Sequence, residues 1–157
     1  METSNTGEGR QRQEWFLADL IMEILIEGEK RNIVHRNLFL VSASSPEEAY
    51  DKALRIGHEH EIVYDNPAGH PVRHNFRGIA HLDTLVDGEP VDGAELTFEQ
   101  RVDVPEEEVQ ALVPSKDRLH AFSQPGPRDT DVPDYSSKDV MIRVAEMLAE
   151  RDSHTGP

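Results

Sequence analysis

The chain has 157 residues, with 31 Asp and Glu against 16 Lys and Arg, a net charge of -15 and no Cys. This charge repels phosphate backbones and anionic lipid, so we expect neither nucleic acid nor a membrane as a partner. The lack of Cys excludes disulfides, thiol nucleophiles and thiolate metal sites. No apolar run reaches the roughly 18 residues of a membrane span and the start lacks a secretory signal, which predicts a soluble cytoplasmic protein.

The pattern of apolar residues changes near residue 14, from no periodicity to alternation. Residues 1–13 are polar and predict a disordered leader. From Phe16 to Ile26 every even position is apolar, a period of two that predicts a strand with one buried face. The same residues also fit helical spacing, and we favour the strand. A turn at 28–32 and a second strand at 33–43, apolar on both sides, follow.

One helix is predicted from its capping residues. Ser45 suits the N-cap, Pro46 suits the first turn, and Glu48 can reach back to complete a capping box. We expect the helix to end at Gly57, because Gly readily adopts the conformation that follows a helix.

Three more strands are predicted beyond this helix. They occupy residues 61–65, 72–86 and 96–104, and a brief helix follows from Pro105 through Val113. The fold class is therefore α+β: an antiparallel sheet of about five strands, in the order β-β-α-β-β-β-α, with one main helix packed on one face. We expect this domain to occupy residues 14–113.

The end of the chain predicts a separate, C-terminal helix. Pro residues break up 114–135, which we interpret as a linker, helical spacing returns over 136–151, and 152–157 form a disordered tail. The helix can bind in a partner's groove, pair with its own copy, or fold back on the sheet as core. Its apolar stripe is the predicted protein-binding site: Val140, Met141, Val144, Met147 and Leu148.

Four short stretches together resemble a known family. They are 15–18 (WFLA), the helix 45–57, 76–79 (FRGI) and 92–96 (DGAEL). In this order and spacing they are similar to an uncharacterised bacterial family, domain of unknown function 4288, over residues 14–104. The resemblance implies a small bacterial domain and supports a strand at 15–26, and it supplies no catalytic residues.

Histidines are one group of candidate metal ligands. Zinc needs three or four ligands that converge at about 2 Å, and spacings such as His-Glu-x-x-His are absent. Surface histidines are therefore the interpretation we favour, and we assign no metal and no cofactor. The weak candidates are His58, His60, His74 and His81.

Charged side chains suggest two further surfaces. Asp19 and Glu23 would form an acidic cleft with Glu95 and Glu99 if their strands were neighbours. Such a cleft would suit a divalent cation or acid–base catalysis, although a solvated sheet face is the plainer interpretation. A basic patch is also conceivable, but we favour pairing of its arginines with neighbouring acids. Its candidate members are Arg31, Arg36, Arg73 and Arg77.

No catalytic residue is assigned, so we favour a non-enzymatic protein-binding module. An immunity or antitoxin-like protein that neutralises a basic partner fits the negative charge, which speeds association with positive surfaces. The alternatives are a small metal-dependent enzyme that uses His, Asp and Glu, and a homodimeric structural subunit joined through a sheet edge or the terminal helix.

Overall fold

The structure is a computed structural model that describes residues 12–122, 126 and 129–153. These residues form two compact units, one comprising those up to Thr97 together with those from Pro133 onward, the other Phe98 to Val132. The predicted leader and tail fall largely outside the described residues. The boundaries predicted for the domain and the linker stay predictions. The strands are β1 (Glu14–Ile26), β2 (Ile33–Ala43), β3 (Ile62–Asp65) and β4 (Pro71–Thr84), and the helices are α1 (Pro46–Glu59), α2 (Glu106–Ala111) and α3 (Lys138–Ser153).

The first unit is α+β, as predicted, and its antiparallel sheet has the order β2-β1-β4-β3. The central strand β1 pairs with β2 from Glu14↔Ala43 to Ile24↔Ile33 without a shift in register. Its pairing with β4 shifts twice, between Asp19 and Leu20 and between Ile21 and Met22. These irregularities interrupt the simple alternation predicted for the return strand, and Ala80 is exposed as a result.

Helix α1 covers part of one sheet face. The even-numbered residues of β1, which alternation places on a single face, meet α1 at one end of the sheet. The buried core there comprises Phe16, Ala18, Leu20, Val41, Ala43, Ala49 and Ala53. At the other end of the sheet a second cluster contains Ile24, Ile26 and Val72.

The capping of α1 is close to the prediction. The Ser45 hydroxyl accepts a hydrogen bond from the Glu48 N–H at 3.2 Å. The Glu48 carboxylate accepts from the backbone N–H of Ser44 at 2.7 Å, one residue before the position expected for a capping box. Hydrogen bonds from Lys52 and then Ser44 lower the pKa of Glu48 to about 2.

The predicted end of α1 at Gly57 is wrong, because the helix continues to Glu59. A Cβ atom at position 57 would overlap the aromatic ring of Phe76. Gly57 therefore lies directly against Phe76 of β4. Its missing side chain allows the helix to pack closely on the sheet and does not end the helix.

The predicted fifth strand is also wrong. Among the described residues the sheet has four strands, and 96–104 form neither strand nor helix. Leu96, Phe98 and Val102 are exposed. Alternation shows which side chains would share a face, but a strand also needs a neighbour that supplies its hydrogen bonds, and alternation carries no information on that neighbour.

Candidate protein-binding site

The residues just before α3 are attached to the sheet. We call residues 133–137 the anchor segment. The Tyr64 hydroxyl of β3 donates a hydrogen bond to the Tyr135 carbonyl. The side-chain amide of Asn66 donates to the Asp134 carbonyl at 2.8 Å. Two consecutive carbonyls of the anchor segment are thus fixed by side chains at the β3 edge of the sheet.

Apolar contact reinforces these hydrogen bonds. Tyr135 packs against the buried cluster of Ile24, Ile26 and Val72. Its ring also lies edge-on to the ring of His35, with 5.5 Å between the centroids. The partly buried Tyr135 ring thus adds apolar contact to the two hydrogen bonds of the attachment.

Asn66 serves the sheet and the anchor segment together. It is buried, and its side-chain oxygen accepts hydrogen bonds from the N–H groups of Ala68 at 3.1 Å and His70 at 2.9 Å. These bonds close the hairpin between β3 and β4, while its amide nitrogen binds Asp134. The hairpin geometry therefore fixes the position of the donor that holds the anchor segment.

A titratable pair lies under the anchor segment. The Tyr64 hydroxyl is 3.0 Å from Nε2 of His74. Since this hydroxyl donates to Tyr135, its oxygen accepts from His74, which is then protonated on Nε2. Burial, followed by the charge of His35, lowers the pKa of His74. Burial also raises the pKa of Tyr64, so both groups favour their neutral forms here.

Helix α3 begins directly after the anchor segment. The Asp134 carboxylate accepts from the Ser136 N–H at 2.9 Å. The Ser137 hydroxyl accepts from the Val140 N–H at 3.4 Å, and the Ser137 carbonyl accepts from the Met141 N–H at 3.0 Å. Ser137 is therefore the N-cap, and only two residues separate the docked Tyr135 from the first turn of α3.

The helix itself is uncovered. Every side chain from Lys138 to Arg151 is exposed. Met147 has 68% of its surface accessible and even Val144 has 43%. Ile142, which lies outside the predicted stripe, is 47% exposed as well. The predicted stripe of Val140, Met141, Val144, Met147 and Leu148 thus lies on a helix that contributes nothing to the core of the described chain.

The four candidate histidines lie in separate surroundings. His58 pairs with Glu61 at 3.2 Å, and His60 bonds the Ile56 carbonyl at 2.8 Å. His74 bonds Tyr64, and His81 is exposed. Within the described part of the chain, no three His, Asp or Glu side chains are grouped to hold a metal ion. The metal-dependent alternative stays a prediction that elemental analysis of the purified protein would test.

The strand at 96–104 that the predicted acidic cleft required is absent from the described residues. Asp19 is instead buried beside the Arg36 guanidinium, whose Nε lies 3.1 Å from Oδ2. Glu23 pairs with Arg77 at 3.5 Å. The predicted pairing of arginines with acids across strands is therefore confirmed for Arg36 and Arg77, whereas Arg31 pairs within its own turn, with Glu29 at 3.1 Å.

Sequence reasoning missed the residues that hold the anchor segment. Tyr64 and Asn66 looked like ordinary strand and turn residues, and Tyr135 lay in the presumed linker. One local signal was present: an aromatic residue in a polar, Pro-rich stretch, placed immediately before two serines that can cap a helix.

A four-stranded antiparallel sheet, partly covered by one helix, defines a small α+β domain. The chain belongs to the family described as Domain of unknown function (DUF4288), whose model matches residues 15–98. The matched residues include α1 and all of the sheet except Glu14, and they end before the anchor segment and α3. No curated protein and no solved structure matches the chain. Among the described residues, no helix is both long and apolar enough to cross a membrane.

Proposed function

We propose that this chain is a non-enzymatic, cytoplasmic protein-binding module that presents α3 to a groove on another protein. The observation that carries the proposal is an amphipathic helix that is exposed on all sides yet anchored at its N-terminus. A helix of this kind normally buries its apolar stripe against a sheet or another helix. Contiguous exposed apolar surface commonly marks a binding site for a second protein.

Anchoring of the residues before α3 lowers the entropy cost of binding a partner. Residues 134 and 135 are held to the sheet, so the first turn of α3 has a defined position before any partner arrives. Binding then needs less loss of conformational freedom than it would for a helix on a flexible tether.

The charge of the chain favours a basic partner. A net charge of -15 attracts positive surfaces over a distance of about one Debye length and raises the association rate. Within this proposal the chain acts in the manner of an immunity or antitoxin protein, in which the acidic domain supplies electrostatic attraction and α3 supplies apolar contact.

The test compares two charge substitutions on the same helix. Val144→Asp introduces a carboxylate into the stripe. Ala149→Asp introduces the same group five residues later, about 140° around the helix at 100° per residue. Both positions are exposed, so neither change should disturb the core.

Tagged full-length protein is recovered from cells of its source organism at low salt. We expect wild type and Ala149→Asp to retain a stoichiometric basic protein, and Val144→Asp to retain at least tenfold less. Added salt should reduce recovery, because it screens the attraction. Absence of any stoichiometric partner, or equal recovery by the two variants, would refute the proposal.

A further inference from the structure

A second surface, independent of α3, lies along strand β2. It is an edge strand of 11 residues, paired with β1 along nearly its whole length and with no other strand of the described chain. The outward backbone N–H and C=O groups of such a strand are available to pair with another strand.

The two edges of the sheet differ in how well they are protected. Strand β3, at the opposite edge, has four residues, ends in Asp65 and is followed closely by Pro67. Strand β2 is long, has neither Lys nor Pro, and shows no register shift against β1. Short length, Lys, Pro and bulges are the usual features that prevent strand addition, so β2 is the edge at which it is expected.

Three apolar side chains are uncovered on the face of β2 that points away from α1, which they share with Arg36 and Ser42. Val41 and Ala43 of β2 lie in the buried core with Ala49 and Ala53 of α1. Alternation therefore places Val34, Leu38 and Leu40 on the face opposite α1. They are 54%, 61% and 43% exposed, respectively. Pairing with another strand would cover part of this apolar surface as well as the backbone groups.

Charge and sequence indicate which kind of strand can pair with β2. Two copies of a chain with net charge -15 repel each other, so they can associate only through a surface without excess acid. Strand β2 contains no Asp or Glu, and its Arg36 is already beside Asp19 of its own chain. This strand therefore offers a locally balanced surface on an acidic molecule.

Antiparallel pairing of β2 with a second β2 is self-complementary when Asn37 faces its own copy. In that register Val34 faces Leu40, Ile33 faces Val41, and Arg36 faces Leu38 rather than another arginine. A register centred on Leu38 would place Val34 opposite Ser42 and Arg36 opposite Leu40, and would replace the pairs Val34–Leu40 and Ile33–Val41 by Leu38–Leu38 and Ile33–Ala43. Apolar cross-strand pairs stabilise a sheet, and the two-fold axis makes each of these off-axis pairs occur twice.

We propose that two copies of this chain associate through antiparallel pairing of their β2 strands about Asn37, which joins two four-stranded sheets into one continuous sheet. The proposal rests on β2 alone, so it does not depend on the function proposed above.

The first test measures the mass of the full chain by light scattering over a dilution series. We expect twice 17.7 kDa for wild type and a dimer at least tenfold weaker for Leu38→Lys. Val63→Lys is the matched control, because Val63 is also 61% exposed but lies on β3. Val144→Asp on α3 should likewise leave the dimer intact. A monomeric wild type, or a dimer weakened by either control but not by Leu38→Lys, would overturn the proposal.

The second test needs no destabilising charge and reports the register. Because the chain has no Cys, Asn37→Cys introduces one thiol that faces its copy at a distance a disulfide can span. We expect rapid cross-linking on mild oxidation. Val34→Cys, on the same edge, should cross-link slowly, because its copies would be about 20 Å apart at 3.3 Å per residue. Faster cross-linking of Val34→Cys or Leu38→Cys than of Asn37→Cys would overturn the proposed register.

Discussion

At the scale of single residues, Gly57 and Phe76 determine how closely α1 approaches the sheet. The absence of a side chain at position 57 admits the Phe76 ring, which also contacts the ring of His58 edge-on at 5.1 Å. A glycine inside a helix normally costs about 0.5–1 kcal/mol relative to alanine. Here the cost is offset by the packing of Phe76 against the helix.

Gly57→Ala should therefore destabilise the protein, although alanine is the better helix former. We expect a net loss of about 1–2 kcal/mol in the free energy of unfolding, because overpacking by one methyl group outweighs the gain in helix propensity. Urea denaturation would measure the loss. Adding Phe76→Leu should restore part of the stability lost in Gly57→Ala, since leucine leaves room for the methyl group. A Gly57→Ala variant more stable than wild type would show that this contact is not tight.

Residue identity predicted some of these environments and not others. Ser45 was assigned correctly to the helix cap because its hydrogen bond is local, three residues along the chain. An acid at an odd position of β1 predicts that Asp19 lies on the solvent-exposed face, yet Asp19 is only 4% exposed. Alternation predicts which face of the sheet a residue lies on. Burial also depends on the neighbouring strands, and here Arg36 of β2 lies beside Asp19.

At the scale of elements, the anchor segment should be sensitive to pH. The pKa of His74 is lowered from 6.5 in the folded state, so the unfolded chain binds more protons than the folded one below that pH. The folded state therefore has its full stability above pH 6.5 and loses stability as the pH falls toward the lowered pKa of His74. The titratable groups that act on His74 are Tyr64, which bonds it, and His35, while Tyr135 and Asp134 act on Tyr64.

Hydrogen exchange of the anchor segment over pH 7.5 to 5.5 would measure this effect, after correction for intrinsic exchange rates. We expect protection at Tyr135 to fall as the pH falls in wild type, and the dependence to be smaller in His74→Gln. His35→Gln, measured in parallel, separates the contribution of the second histidine. A His74→Gln variant with the same pH dependence as wild type would refute the assignment.

The predictability of each element follows from how local its determinants are. The capped helix α1 and the strand β1 carry their signal in consecutive residues, and both are present. The strand predicted at 96–104 also alternates, but a strand depends on a pairing partner that is distant in sequence. For α3, periodicity predicted the helix within two residues at each end, at Lys138–Ser153. Periodicity could not show whether its stripe is covered.

At the scale of the whole molecule, the candidate site depends on contacts between distant parts of the chain. Tyr64 and Tyr135 are 71 residues apart, and Asn66 and Asp134 are 68 apart. No local pattern predicts such contacts, which is why the sequence predicts a linker at 114–135 and does not reveal that Asp134 and Tyr135 dock on the sheet. Net charge was readable at once, but it indicates the kind of partner that is attracted and says nothing of where it binds.

The most direct test of this account is hydrogen exchange of α3 in the free, full-length protein at neutral pH. Helix α1, with 14 residues, is the internal control for α3, with 16, because the first packs on the sheet and the second is exposed. An unpacked helix of this length is only marginally stable in water, so we expect α3 amides to exchange orders of magnitude faster than those of α1. Protection of α3 equal to that of α1 would show that its stripe is already covered, and would contradict its role as an unoccupied binding surface.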